Sequence, residues 1–98
     1  MNSIIQKDKS RCYLCGKNSR FEPIDKHHIF GGANRNKSEE YGLFVYLHHS
    51  SCHIFGPNAV HANAENMNAL RANAQEIAMK KYGWSKEDFI RIFGKNWI

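Results

Sequence analysis

The feature that most constrains this chain is the placement of its metal-binding side chains: all six histidines and all three cysteines lie between Cys12 and His61. They run Cys12-x2-Cys15, His27-His28, His48-His49-x2-Cys52-His53 and then His61. Thiols and imidazoles gathered in one half of a short chain are the composition of a metal-binding fold, and there are more of them here than one four-coordinate ion can use. With 98 residues there is room for one small domain. A core of that size stabilises a fold only marginally, so a structural metal or a partner chain is expected to contribute.

Composition excludes some classes. The chain is 42% hydrophobic and 23% charged, which is a globular balance, and its net charge of +5 suits an anionic partner as well as plain solubility. An odd number of cysteines, with no apolar stretch in the first residues, argues against a secreted disulfide framework. No run approaches the ~18 apolar residues of a membrane span. The expected location is the cytoplasm, where thiolates persist and bind metal.

The punctuation divides the chain into a ligand-rich first part and a helical second part. Residues 1–10 are polar and expected to be mobile. Cys12 to Gly16 reads as a knuckle, with Gly16 supplying the positive φ of a turn that wraps a metal. Phe21 to Phe30 reads as a short strand carrying the histidine pair, Gly31 to Ser38 as a loop, and Leu43 to Leu47 as the best strand, β-branched and aromatic, with the second ligand cluster at its end. From Asn63 to Tyr82 the residues Met67, Leu70, Ala74, Ile77 and Ala78 recur at helical spacing and predict an amphipathic helix ended by Gly83. Ser85 and Asp88 resemble a capping box, with Phe89, Ile90 and Phe93 as the apolar face of a last helix. The fold class expected is therefore α+β: a zinc-stapled, two-stranded antiparallel hairpin plus helix over residues 11–61, followed by C-terminal helices over 62–98, all in one domain.

Cys12 and Cys15 can hold one tetrahedral Zn2+ but leave two positions, and Cys52 is the only other thiol. The fourth ligand must be a histidine. His49 repeats the x2 spacing of the first knuckle and is preferred, giving Cys12, Cys15, His49 and Cys52; His48, directly after the strand, is the competitor. Four ligands close a structural zinc, so His27, His28, His53 and His61 are surplus to it. Adjacent histidines on an extended segment point to opposite sides, so one of the pair can bind metal while the other acts as a base. His27, His53 and His61 could together hold one divalent ion with open positions, as catalysis requires.

Taken in order, these motifs resemble the HNH endonucleases of the ββα-metal (His-Me finger) superfamily. The likeness is closest to small phage-encoded HNH proteins related to recombination-enhancement nucleases. It is carried by Asp25-x-His27-His28-Ile29-x-Gly31-Gly32, Arg35, Tyr41-Gly42-Leu43, Ala59-Val60-His61, Ala74-Gln75 and Phe93-Gly94-Lys95-Asn96, and spans the chain from residue 11 onward. The resemblance implies a metal-dependent DNA endonuclease, in which His28 is the general base and His27, His53 and His61 hold one catalytic Mg2+, Mn2+, Ni2+ or Zn2+. That ion would stabilise the leaving 3′ oxygen.

Two features depart from the family pattern. Gly42-Leu43 stands where the middle asparagine normally pins the loop, leaving Asn34 or Asn36 to hold it from elsewhere. The gap from His53 to His61 is also long, so residues 54–58 must loop out for His61 to return. Arg35 and Lys37 are the residues placed to contact phosphates, and mainly backbone contacts with DNA are expected. The aromatic tail from Trp84 to Trp97 would pack on the domain or meet a second copy or a protein partner. The alternative function is a catalytically inactive zinc module that binds nucleic acid or protein, or a purely structural zinc protein; neither has a use for the four surplus histidines.

Overall fold

The computed structural model describes residues 2–20 and 22–98. Met1 and Phe21, the latter the first residue of the expected first strand, lie outside the described residues. Two strands pair antiparallel, β1 (Ile24–His28) and β2 (Phe44–His48), with Ile24 opposite His48 and His28 opposite Phe44. Both are shorter than or offset from the sequence reading. Pro23 precedes β1, and β2 runs one residue further, into His48.

The strand connection is not the loop that its glycines and asparagines suggest. It holds a 3-10 turn (Gly32–Asn34) and a short helix, α1 (Arg35–Glu40). Its one buried side chain is Ser38, so no apolar periodicity announces it. Ser38 does the pinning expected of Asn34 or Asn36. Its hydroxyl accepts from Phe30 N–H at 3.3 Å and donates to the Leu43 carbonyl, and its own carbonyl accepts from Leu43 N–H at 2.8 Å. Asn34 instead donates to the Phe93 carbonyl at 2.8 Å.

The first residues pack against the hairpin. Ser3 Oγ–H donates to the Phe44 carbonyl at 2.5 Å, Gln6 Oε1 accepts from Tyr46 N–H at 2.7 Å, and Tyr13 N–H donates to the Tyr46 carbonyl at 2.7 Å. These bonds cover the outer edge of β2, which would otherwise leave backbone groups unpaired. Ile4 N–H also donates to the Gly42 carbonyl at 3.0 Å. Gly42 has φ +73°, and a Cβ there would sit 2.7 Å from the Asn2 carbonyl oxygen. The absence of a side chain at Gly42 thus lets the N-terminal segment close over the hairpin.

Past β2 the chain makes one wide π-helical turn (His49–Ile54), in which Phe55 N–H reaches back to the Ser50 carbonyl at 2.8 Å. Then come α2 (Ala64–Tyr82) and α3 (Lys86–Phe93). Asn63 caps α2 by accepting from Asn66 N–H at 3.1 Å, and Gly83 ends it with φ +70°. The capping box of Ser85 and Asp88 starts α3 as expected. Helix α2 buries Met67, Leu70, Ala74 and Ala78, and α3 buries Phe89 and Phe93, while Ile90 is exposed, contrary to the expected face. These side chains meet Ile29, Phe30, Leu43, Val45 and Leu47 in one core. A side chain such as Phe89, fully buried, contributes about 1.5–3 kcal/mol there. Among the described residues no helix is long and apolar enough to cross a membrane.

Candidate metal centres

The possible ligands gather in two separate clusters, and Asp25 and His49 join the second of them through His53. The first is Cys12, Cys15, His48 and Cys52, whose ligand atoms all lie within 4.8 Å of one another. The knuckle is closed by Gly16 N–H to the Cys12 carbonyl and Cys12 N–H to the Lys17 carbonyl, both 2.8 Å, with Gly16 at φ +77° as expected. His48, not His49, is the fourth member. It is the last residue of β2 and is 5% exposed. Its Nε2–H donates to the Asn18 carbonyl at 2.7 Å, which leaves the Nδ1 lone pair 3.2 Å from Cys15 Sγ. A backbone carbonyl that fixes the tautomer of a ligating imidazole is the usual support of a zinc histidine. The donor set fits one tetrahedral zinc: three sulfurs and one nitrogen converge with no carboxylate among them.

The thiols differ in their readiness to ionise. Burial would raise the Cys12 thiol, but the backbone N–H groups of Cys15, His48 and Leu14 outweigh it and hold Cys12 below its ordinary value. Burial and the neighbouring Cys12 push Cys52 up to about 12. Crowded thiols that cannot all ionise alone are stable as thiolates once a divalent cation offsets their charge.

The second group is His27, His53 and His61. His27 faces inward from β1, opposite Val45, and is 4% exposed. His53 comes from the π-helical turn. His61 returns because Val60 N–H donates to the Cys52 carbonyl at 2.9 Å and His61 N–H to the His53 carbonyl at 3.0 Å, closing residues 54–58 as a loop. Gly56 makes that loop possible, since a Cβ there would collide with the Ser51 carbonyl.

The three rings are close, with centroids 5.0 Å apart for His27 and His53, 5.2 Å for His27 and His61, and 4.7 Å for His53 and His61. The Nε2 atoms of His53 and His61 are 3.1 Å apart, near the roughly 3.3 Å between nitrogens bound at ~2.0–2.1 Å to one tetrahedral ion. His27 Nε2 is buried with no hydrogen-bond partner among the described residues. Burial, then the neighbouring His53 and His61, pushes His27 down to about 3, so at neutral pH it presents a lone pair and no charge. Burial also lowers His61, helped by His53 and Arg71. An orphaned buried nitrogen aimed at two others fits a divalent ion better than it fits a dry core.

Asp25 is the residue that spacing alone did not single out. Its Oδ2 accepts from His53 Nδ1–H at 3.0 Å and from His49 Nδ1–H at 2.6 Å. Burial would raise this carboxyl, but the bonds from His53 and His49 hold it below the ordinary value. His53 is thereby oriented with its Nε2 toward the other imidazoles. His49, 44% exposed at its side chain, is committed to Asp25 and not to the cysteines.

His28 lies on the other face of β1, beside Phe44. Its Nε2–H donates to Glu39 Oε1 at 2.8 Å, and the same oxygen accepts from Lys26 Nζ at 3.1 Å. These bonds from His28 and Lys26 hold Glu39 below its usual range. Nothing in the sequence announces the Glu39 partnership, because α1, which carries it, has no apolar periodicity. At the end of the strand both faces open onto one cleft, lined by Lys26, His27, His28, Arg35, His53 and His61. Arg35 thus lines the same cleft as the histidines. Lys37 does not line this cleft, and its ammonium donates to the Ile92 carbonyl at 2.7 Å.

Comparison of the chain with protein-family models, with curated proteins and with solved structures finds no match.

Proposed function

We propose that the chain is a metal-dependent endonuclease of HNH type that hydrolyses DNA phosphodiesters and is held together by a structural zinc. The observation that carries this reading is the cleft in which three ligand-ready imidazoles, a carboxylate-oriented histidine and the cations Lys26 and Arg35 converge. A divalent ion held by His27, His53 and His61 would supply Lewis-acid stabilisation of the charge on the scissile phosphate and the leaving 3′ oxygen.

The remaining work falls to the chain's own side chains. Glu39 accepts from His28 Nε2–H, so Nδ1 carries the lone pair. That nitrogen takes a proton from the attacking water as the new oxygen–phosphorus bond forms and the bond to the 3′ oxygen breaks; the leaving oxygen is protonated from solvent. Glu39 stabilises the imidazolium so formed, as a carboxylate behind a catalytic histidine does. Arg35 and Lys26 neutralise phosphate oxygens, and binding through such contacts falls steeply with salt.

The test is nicking of supercoiled plasmid with Mg2+, Mn2+ or Ni2+. Wild type is expected to nick, and His28→Ala to lose at least a hundredfold in rate while keeping its zinc and its melting temperature. If no metal and no DNA form supports cleavage, the chain is a zinc module that binds without cutting.

A further inference from the structure

Beside the metal cleft lies a second groove, of about 290 Å³, that the reaction above does not use. Phe30, Gly31, Asn34, Arg71, Lys95 and Trp97 line it. Gly31 also lines the metal cleft, so the two run together across a residue with no side chain. No carboxylate is among the described lining residues of either, whereas Lys26, Arg35, Arg71 and Lys95 all are.

The far end of the groove is built, not frayed. Gln75, fully buried on α2, donates to Asn96 Oδ1 at 2.8 Å and accepts from Trp97 N–H at 2.7 Å. These bonds fix the half-buried Trp97. Over its ring stand the Arg71 guanidinium, 4.7 Å from the centroid, and the Lys95 ammonium, at 4.2 Å. Arg71 is itself held by Nε–H to the Ile29 carbonyl at 3.4 Å, while Lys95 is exposed and its ammonium can swing aside. A flat ring flanked by cations is how proteins hold single-stranded nucleic acid: the ring stacks on a base and the cations meet the adjoining phosphates.

We propose that this groove receives the unpaired nucleic-acid strand next to the scissile phosphate, with one base on Trp97 in place of the Lys95 ammonium and with Arg71 and Lys95 on the flanking phosphates. The inference rests on the nuclease reading and narrows it to substrates that are single-stranded or open beside the cut, because a continuous duplex hides its base faces.

The experiment titrates the full-length, zinc-loaded protein with a labelled oligothymidylate and with a duplex of matched length, without added divalent ion. It follows label anisotropy and tryptophan fluorescence together. The expected result is tighter binding of the single strand, with quenching that saturates alongside the anisotropy. Trp97→Phe should lose the quenching and weaken binding about fivefold or more, and Lys95→Gln should flatten the salt dependence. Quenching that survives in Trp97→Phe, or equal affinity for duplex and single strand, overturns the groove. The two readings fail separately. A protein that never nicks DNA but loses its quenching in Trp97→Phe retains the groove and refutes the nuclease; one that nicks while Trp97→Phe binds as wild type does the reverse.

Discussion

His48 and His49 are neighbours with unrelated tasks, and the reason is strand geometry. Successive side chains of a strand point to opposite faces, so only one of the two could meet the cysteines, and the wide turn that begins at His49 carries that ring toward Asp25 instead. His48→Ala is expected to purify without stoichiometric zinc and to lose its cooperative melt, whereas His49→Ala keeps about one zinc per chain and most of its stability. Metal analysis with thermal melts distinguishes them, and zinc retained by His48→Ala would remove it from the site. His27 permits a second test, on pH. Its folded pKa is about 3 against an ordinary 6.5, so unfolding takes up a proton between those values and acid favours the unfolded chain. Its contribution is complete above about pH 6.5 and lost progressively as pH falls toward 3, at up to about 1.4 kcal/mol per unit. In denaturant titrations from pH 7.5 to 5, without added divalent ion, wild type should lose stability more steeply than His27→Gln by up to that slope; parallel profiles would mean that His27 is not held neutral by the fold.

At the scale of elements, the π-helical turn and the loop after it decide whether a second centre exists. Glu22 anchors the turn from outside, its carboxylate accepting from the N–H groups of Ser50 and Ser51 and from Ser51 Oγ–H. Gly56 allows the loop to fold back onto Ser51, which brings His61 beside His53. Gly56→Ala forces that backbone apart. It should weaken Co2+ or Mn2+ binding at the histidines at least tenfold, by calorimetry, while the zinc stays bound and the melt moves far less. An unchanged affinity would show that His61 is no ligand. The return of His61 was legible in sequence only as a requirement, because the two backbone bonds that close the loop leave no residue-type signal. Helices α2 and α3 were legible because periodicity and caps agree over many residues, and β2 because it is β-branched and aromatic. Helix α1 was not, since its one buried residue is a serine and its support comes from Leu43 and Phe30. The packing of Ser3 and Gln6 on β2 was also hidden, being a matter of bonds that span some forty residues of chain.

For the whole molecule, the two centres are expected to fail in different ways. The Cα radius of gyration is 13.2 Å, close to the roughly 13 Å of a folded chain of about a hundred residues, so there is little slack for a metal to take up. What a zinc at the first cluster would supply is connection, tying Cys12 and Cys15 of the first knuckle to His48 and Cys52 at the end of β2. A chain this short buries only about 60–65% of its unfolded surface. A structural zinc is worth about 10–16 kcal/mol in small zinc folds, against a total stability of about 5–15 kcal/mol for an ordinary domain, so removing it should unfold the protein outright. An ion at the histidine centre would link β1 to a turn and loop that backbone bonds and the core already hold together, and with three imidazoles and no thiolate among its ligands it should leave first. Stepwise chelation followed by circular dichroism and by plasmid nicking should therefore abolish nicking at a chelator strength that leaves the helical signal intact, and unfold the chain only when the zinc is extracted. Cys12→Ser should be unfolded at every metal concentration that restores nicking to wild type. If nicking and helicity instead vanish together, one ion serves both purposes and the division of ligands into a staple and a reactive centre is wrong.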